Sequence, residues 1–132
     1  MMVNYLGAEQ IIAINTRLMM EHQQVSFVRN ANGLDSLVHL PSQELFGKTV
    51  YPTLASKLGI VFIKLINLHC FEDGNKRTAV VALLIMARLN GYKLSYSKPE
   101  LADLALLIAQ TEDQKLQYQQ VYENIDKHLI RV

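Results

Sequence analysis

The stretch from Asn75 to Leu89 constrains this chain most, because after Arg77 it carries a single charged residue, Arg88. A helix built from it is apolar on nearly every side, and such a helix is stable only when other helices surround it. Its longest unbroken apolar run, Ala79 to Ala87, is far short of the ~20 residues that span a bilayer, so the surroundings must be protein. A chain of 132 residues has enough material for one core and not for two. We therefore expect a single domain over residues 1–132, with Asn75–Leu89 as the buried central helix of an all-α bundle.

The remaining segments supply the partners. Ile11, Ile12, Ile14, Leu18 and Met19 recur at helical spacing and predict an amphipathic helix from Ala8 to about His22. Residues 23–33 read as polar and irregular. A short helix from Leu34 should stop before Pro41, since the residue preceding a proline avoids the helical region. Pro41 to Pro52 reads as a loop with at most local structure. Thr53 is a suitable N-cap for a helix from Leu54 to about Leu68. Asn90-Gly91 stops the central helix. Tyr92 to Tyr96 alternates in strand fashion but is too short to form a sheet alone. Ser97 and Glu100 read as a capping box before another helix. Thr111 and Gln114 resemble a second box, opening a last helix with Tyr118, Val121, Tyr122, Ile125 and Leu129 inward. About six helices result.

Composition removes several function classes. With 13 Lys+Arg against 12 Asp+Glu the formal charge is +1, which sets up no general field for nucleic acid or an anionic membrane. Neither is expected as a direct partner. One cysteine, Cys70, excludes an intrachain disulfide framework and, with four histidines, a thiolate-rich zinc site. His22, His39 and His128 show no ligand spacing. The N-terminus lacks the basic and apolar regions of a signal peptide. A cytoplasmic location is expected.

The chemistry concentrates between the two most apolar helices, in His69-Cys70-Phe71-Glu72-Asp73-Gly74-Asn75-Lys76-Arg77. The segment ends at a helix start, whose unpaired N–H groups and positive dipole end attract phosphate. Gly74 lets the backbone approach an anion closely. Lys76 and Arg77 can neutralise phosphate oxygens. Asp73 is a hard oxygen ligand suited to the magnesium that accompanies a nucleotide. His69 takes a proton near neutral pH and can activate a hydroxyl. Phe71 reads as an apolar pin turned inward. Cys70 reads as a packing residue, because neighbouring acids raise a thiol pKa. Taken singly, each residue has a plainer reading: His69 as a helix C-cap, Glu72-Asp73 as an ordinary charge pair, Lys76-Arg77 as a solvated helix start.

Extended through Thr78 and Ala79, the run His-x-Phe-x-Asp-Gly-Asn-Lys-Arg-Thr-Ala resembles the signature of the Fic superfamily, and specifically of its short branch, the Doc (death-on-curing) toxins. Tyr5-Leu6, Leu45-Phe46-Gly47, Tyr51-Pro52-Thr53-Leu54-Ala55 and Asn90-Gly91-Tyr92 extend the resemblance over nearly the whole chain. It implies a compact all-α fold and a catalytic set of His69, Asp73, Lys76 and Arg77. His69 matches the base, Asp73 the metal-binding acid, and Phe71 the buried anchor. Gly74, Asn75 and Lys76 match the anion-binding turn, and Arg77 the phosphate-binding arginine. ATP and Mg2+ are the implied cofactors.

Two departures bear on the reaction. AMP-transferring Fic enzymes usually have a second glycine where Lys76 stands and a second arginine where Val80 stands. In Doc-like proteins the lysine goes with a reversed nucleotide and transfer of the terminal phosphate. The resemblance thus implies a toxin of a toxin–antitoxin pair. It would be a protein kinase that moves the gamma-phosphate of ATP to a protein hydroxyl, on elongation factor Tu, and so arrests growth. AMP transfer is the alternative within the class, and a non-catalytic binding module is the alternative outside it. The loop from Pro41 to Pro52 is either a plain connection or, as the resemblance implies, a segment that holds the target. An internal inhibitory helix of the Ser/Thr-x-x-x-Glu-Gly/Asn type is not found, since Glu123-Asn124 is preceded at the required distance by Gln119. The inhibitor is therefore expected to be a second chain, an antitoxin inserting a helix near the active site.

Overall fold

The computed structural model describes residues 2–132. Six helices carry the fold: α1 (Ala8–Glu21), α2 (Ala31–His39), α3 (Leu54–Asn67), α4 (Asn75–Leu89), α5 (Lys98–Gln110) and α6 (Tyr118–His128). Two small antiparallel ribbons complete it. One pairs β1 (Glu44–Leu45) with β2 (Lys48–Thr49), and the other pairs β3 (Tyr92–Leu94) with β4 (Leu129–Arg131). The all-α fold read from the sequence is borne out.

The helix at the centre is α3, however, not α4. Helix α3 packs against α2, α4, α5 and α6, and its Leu58, Phe62 and Ile63 are completely enclosed. Each such side chain contributes about 1.5–3 kcal/mol of burial free energy. Helix α4 also packs on three helices, but Leu84 remains 39% exposed and Val81 half-buried. Apolar periodicity says that a face wants cover; it does not say which of two apolar helices receives more of it. The close approach of α6 to α3 depends on Gly59, where a Cβ would stand 2.5 Å from Tyr122 Cδ1.

Local signals in the sequence set most boundaries. Thr53 and Ser97 both form capping boxes: Thr53 Oγ1 accepts from the Ser56 N–H at 3.0 Å, and Ser97 Oγ accepts from the Glu100 N–H at 3.2 Å. The Ser97 N–H in turn donates to Glu100 at 2.8 Å and holds that carboxyl below its ordinary pKa. Gly91 takes the left-handed conformation that ends α4.

Three boundaries differ. Helix α2 begins at Ala31 rather than Leu34, because Asn30 Oδ1 caps it through the Gly33 N–H at 2.9 Å. The Thr111–Gln114 box does not form. Thr111 is extended and its hydroxyl donates back to Leu107 O at 2.6 Å, so α6 opens later, at Tyr118. Leu129 lies on β4 instead of the last helix, and β4 is the partner that the lone strand 92–94 requires. Among the described residues no helix is long and apolar enough to cross a membrane.

Candidate functional site

Helix α3 ends at Asn67, and His69 takes a left-handed conformation with φ +49° immediately after it. That conformation turns the chain away from the helix axis, and histidine is among the few non-glycine types that tolerate it. The reading of His69 as a helix stop and as a chemical group are thus compatible. Its side chain is exposed, while the two residues that follow turn inward: Cys70 and Phe71 are 0% and 1% exposed. Burial pushes the Cys70 thiol up to about 11, so it is no nucleophile near neutral pH. The direction agrees with the sequence reading; the cause is desolvation, not the neighbouring acids.

The turn is braced on both sides. Asn75 clasps Phe71 by its backbone, accepting from the Phe71 N–H at 3.0 Å and donating to the Phe71 carbonyl at 2.8 Å. Its side chain is therefore spent on shaping the turn, and only its backbone N–H is left to an anion. From behind, residues 27–30 hold the turn through backbone bonds. The N–H groups of Arg29 and Asn30 donate to Cys70 O, and that of Glu72 to Phe27 O. Asn30 Nδ2 adds a bond to Leu68 O at 3.0 Å.

Gly74 is the N-cap of α4, with φ +77°. A side chain here is excluded twice: by the left-handed backbone, and because a Cβ would lie 2.5 Å from Met19 Cε and 3.2 Å from Asn15 Nδ2. The Gly74 N–H donates to Asp73 Oδ1 at 2.7 Å. Among the described residues no side chain caps α4, so its first turn keeps the positive end of the dipole open.

His69, Glu72, Asp73, Gly74, Asn75, Lys76 and Arg77 border one cavity of about 310 Å³, together with Ile66 of α3 and Ala109 of α5. All of the site residues read from the sequence therefore meet in one place. Lys76 and Arg77 are exposed, and the ion pairs among the described residues, Arg17–Glu21 and Glu112–Lys115, leave both cations free. The cavity thus brings together a helix start, a histidine, two acids and two cations that form no ion pair among the described residues. A larger cleft of about 630 Å³ lies between α5 and α6, but it holds no histidine or cysteine and none of these groups.

No cluster of three or more His, Cys, Asp or Glu forms a protein-only metal cage among the described residues. Asp73 still suits a magnesium ion held jointly with a nucleotide. One carboxylate oxygen is fixed by the Gly74 N–H, the other has no partner among the described residues, and such ions use one or two carboxylates plus phosphate oxygens and water. The remaining histidines stay outside the site: His22 and His39 are exposed, and His128 stacks on Tyr96 with ring centroids 3.8 Å apart.

Sequence reasoning missed Asn15. It is completely buried in α1, and its Nδ2 donates to Asp73 O at 2.9 Å and to Thr78 Oγ1 at 3.1 Å. The signal was present, since Asn15 sits on the same helical stripe as Ile11 and Met19, both buried. A polar residue on an apolar stripe needs a partner inside the protein.

Fold and turn together define an all-α protein that presents a histidine, a carboxylate and a cation-flanked, uncapped helix start in one cavity. The model of the Fic/DOC family matches residues 5–87, and the chain belongs to that family. A curated relative, Toxin Doc of Mycolicibacterium smegmatis (strain ATCC 700084 / mc(2)155), is 35% identical over 68 residues, covering 52% of this chain and 52% of the relative. The match spans about half the length of that protein.

Proposed function

We propose that this protein is the toxin of a toxin–antitoxin pair and acts in the cytoplasm as a protein kinase. It transfers the gamma-phosphate of ATP to a hydroxyl of a cellular protein, with elongation factor Tu as the target that the Doc resemblance suggests. The observation that carries the reading is the juxtaposition of His69 and Asp73 with the unpaired Lys76 and Arg77 around the open start of α4. Phosphoryl transfer requires mainly positioning and neutralisation of spreading negative charge. This cavity offers both.

In this mechanism His69 accepts the proton of the target hydroxyl as its oxygen bonds to the gamma-phosphorus and the bond to the ADP oxygen breaks. Arg77 and Lys76 balance the phosphate charge, together with the N–H groups of the α4 first turn. The free oxygen of Asp73 would hold Mg2+, which would supply neutralisation of phosphate charge. Phe71 and Asn75 keep these groups in register.

The choice of kinase over AMP transfer is supported by Lys76, which borders the cavity at the position where AMP-transferring members usually have a second glycine. Val80, at the position of the second arginine of AMP-transferring members, lines a separate apolar groove and not this cavity. The test uses ATP labelled at the alpha or the gamma phosphate, with purified elongation factor Tu and with lysate. Label should reach protein from the gamma position. Transfer of alpha label with none from gamma would establish AMP transfer instead. No transfer of either label, in an assay where a known kinase succeeds, favours the non-catalytic binding module.

That apolar groove, about 380 Å³ between α4 and α5, supports the antitoxin part of the reading. Leu18, Val81, Leu84 and Leu101 line it together with Lys76, Arg77 and Lys98. A partner helix with an apolar stripe and acidic flanks fits it, and its acids would reach the two cations needed for phosphate. Co-expression with an adjacent-encoded small protein should restore growth and give a stable complex. Leu84→Asp, at an already exposed position, should weaken that complex at least tenfold by titration calorimetry. An undiminished affinity would move the partner to another surface.

A further inference from the structure

We propose that Asn15 is a positioning residue for the Asp73 carboxylate, acting from helix α1 through the Asp73–Gly74 peptide. The inference rests on the reading of Asp73 as the metal-holding acid.

Asn15 is completely enclosed, yet its whole amide is engaged. One Nδ2 hydrogen goes to the Asp73 carbonyl (2.9 Å) and the other to Thr78 Oγ1 (3.1 Å), while Oδ1 accepts from Ser26 Oγ (2.5 Å). Three segments meet on one side chain: the loop after α1, the turn 72–74, and the first turn of α4. Both hydrogens and the oxygen have separate partners, so the amide has one orientation.

The consequence follows from peptide geometry. In a planar trans peptide the carbonyl and the following N–H point in opposite directions. With Asp73 O drawn inward to Asn15, the Gly74 N–H must point outward, and there it holds Asp73 Oδ1 at 2.7 Å. Asn15 thus sets the peptide plane, the plane sets the N–H, and the N–H sets the carboxylate, leaving its second oxygen to the cavity. The left-handed Gly74, with φ +77°, lacks the Cβ restraint that would otherwise limit rotation of this peptide. The constraint has to come from outside the turn. Met19 and Asn15, both within 4 Å of where a Gly74 Cβ would lie, provide it, and only Asn15 does so by a directed bond.

Groups that orient a metal ligand typically change metal affinity by 10–100-fold when removed. The test measures binding of the non-hydrolysable analogue AMP-PNP by calorimetry, across a Mg2+ titration and without Mg2+. For Asn15→Ala, the Mg2+ concentration giving half-maximal enhancement of binding should rise about tenfold or more. Metal-free AMP-PNP affinity, which depends on Lys76, Arg77 and the helix start, should stay within about threefold. Ser26→Ala, at a half-buried loop position, removes only the bond that orients the amide and should give a smaller shift in the same direction. Should Asn15→Ala fail to fold, Ser26→Ala decides alone. Asp73→Ala sets the ceiling. An unchanged Mg2+ requirement in the Asn15 and Ser26 variants, with the requirement lost in Asp73→Ala, overturns the inference and leaves the proposed function standing. Equal weakening with and without Mg2+ assigns Asn15 to general scaffolding and also overturns it. A Mg2+ requirement untouched by Asp73→Ala removes the metal-holding role of Asp73 itself, and the inference with it.

Discussion

His69→Ala is expected to reduce phosphoryl transfer by roughly 10²–10⁴-fold while the thermal midpoint stays within a few degrees of the parent. The two halves of this expectation have separate causes. The imidazole is exposed, so its removal takes no atoms out of the core and leaves no cavity. The backbone at residue 69 has φ +49°, a conformation that costs alanine about 1 kcal/mol, a modest loss set against the whole fold. The chemistry loses the only imidazole that borders the cavity among the described residues, and the remaining polar side chains there are two carboxylates, an amide and two cations. Gamma-label transfer by the purified variant, read beside its melting curve, checks both halves. Growth arrest by His69→Ala at the parental level, with the protein folded, would remove His69 from the mechanism.

How much of this was legible in the sequence depends on whether a signal is local. Capping at Thr53 and Ser97, the glycine stop at Gly91 and the start of α4 at Asn75 are decided by a few adjacent residues, and all appear where the sequence places them. The site residues were legible for the same reason, since seven of the groups bordering the cavity fall within a nine-residue run. Contiguity brings them together almost regardless of the rest of the fold.

What holds them was not legible, because it is distant in the chain. Residues 27–30 read as irregular and polar, yet their backbone groups pair with Cys70, Phe71 and Glu72. Backbone pairing of this kind leaves almost no mark on side-chain choice. The pairing of 92–94 with 129–131 leaves as little mark, and a capping pattern at Thr111 loses to a bond back to Leu107. Asn15 differs from these cases. Its helical stripe was visible, and a polar residue on it pointed to a buried partner without saying which.

Phe71→Ala should cost about 3–5 kcal/mol of stability, and the transfer activity should fall further than the folded fraction does. Phe71 is 1% exposed and lies between two exposed residues that border the cavity, His69 and Asp73. Its ring fills the core while its N–H and carbonyl are clasped by Asn75 and its backbone bridges to Val28. Removing the ring therefore opens a cavity under the turn and frees the backbone that spaces His69 from Asp73. For a chain of this size the stability loss corresponds to a drop in Tm on the order of 10 °C. Phe71→Leu keeps most of the buried volume and should recover more than half of that drop. The activity comparison belongs at a temperature where both variants are fully folded. There Phe71→Ala should still transfer poorly, because a turn no longer pinned spends less time with His69 and Asp73 facing one cavity. If Phe71→Ala melts within two or three degrees of the parent, the ring is not the anchor of the turn. If it melts early but transfers normally once folded, the backbone clasp by Asn75 suffices to hold the geometry, and the ring serves the core alone.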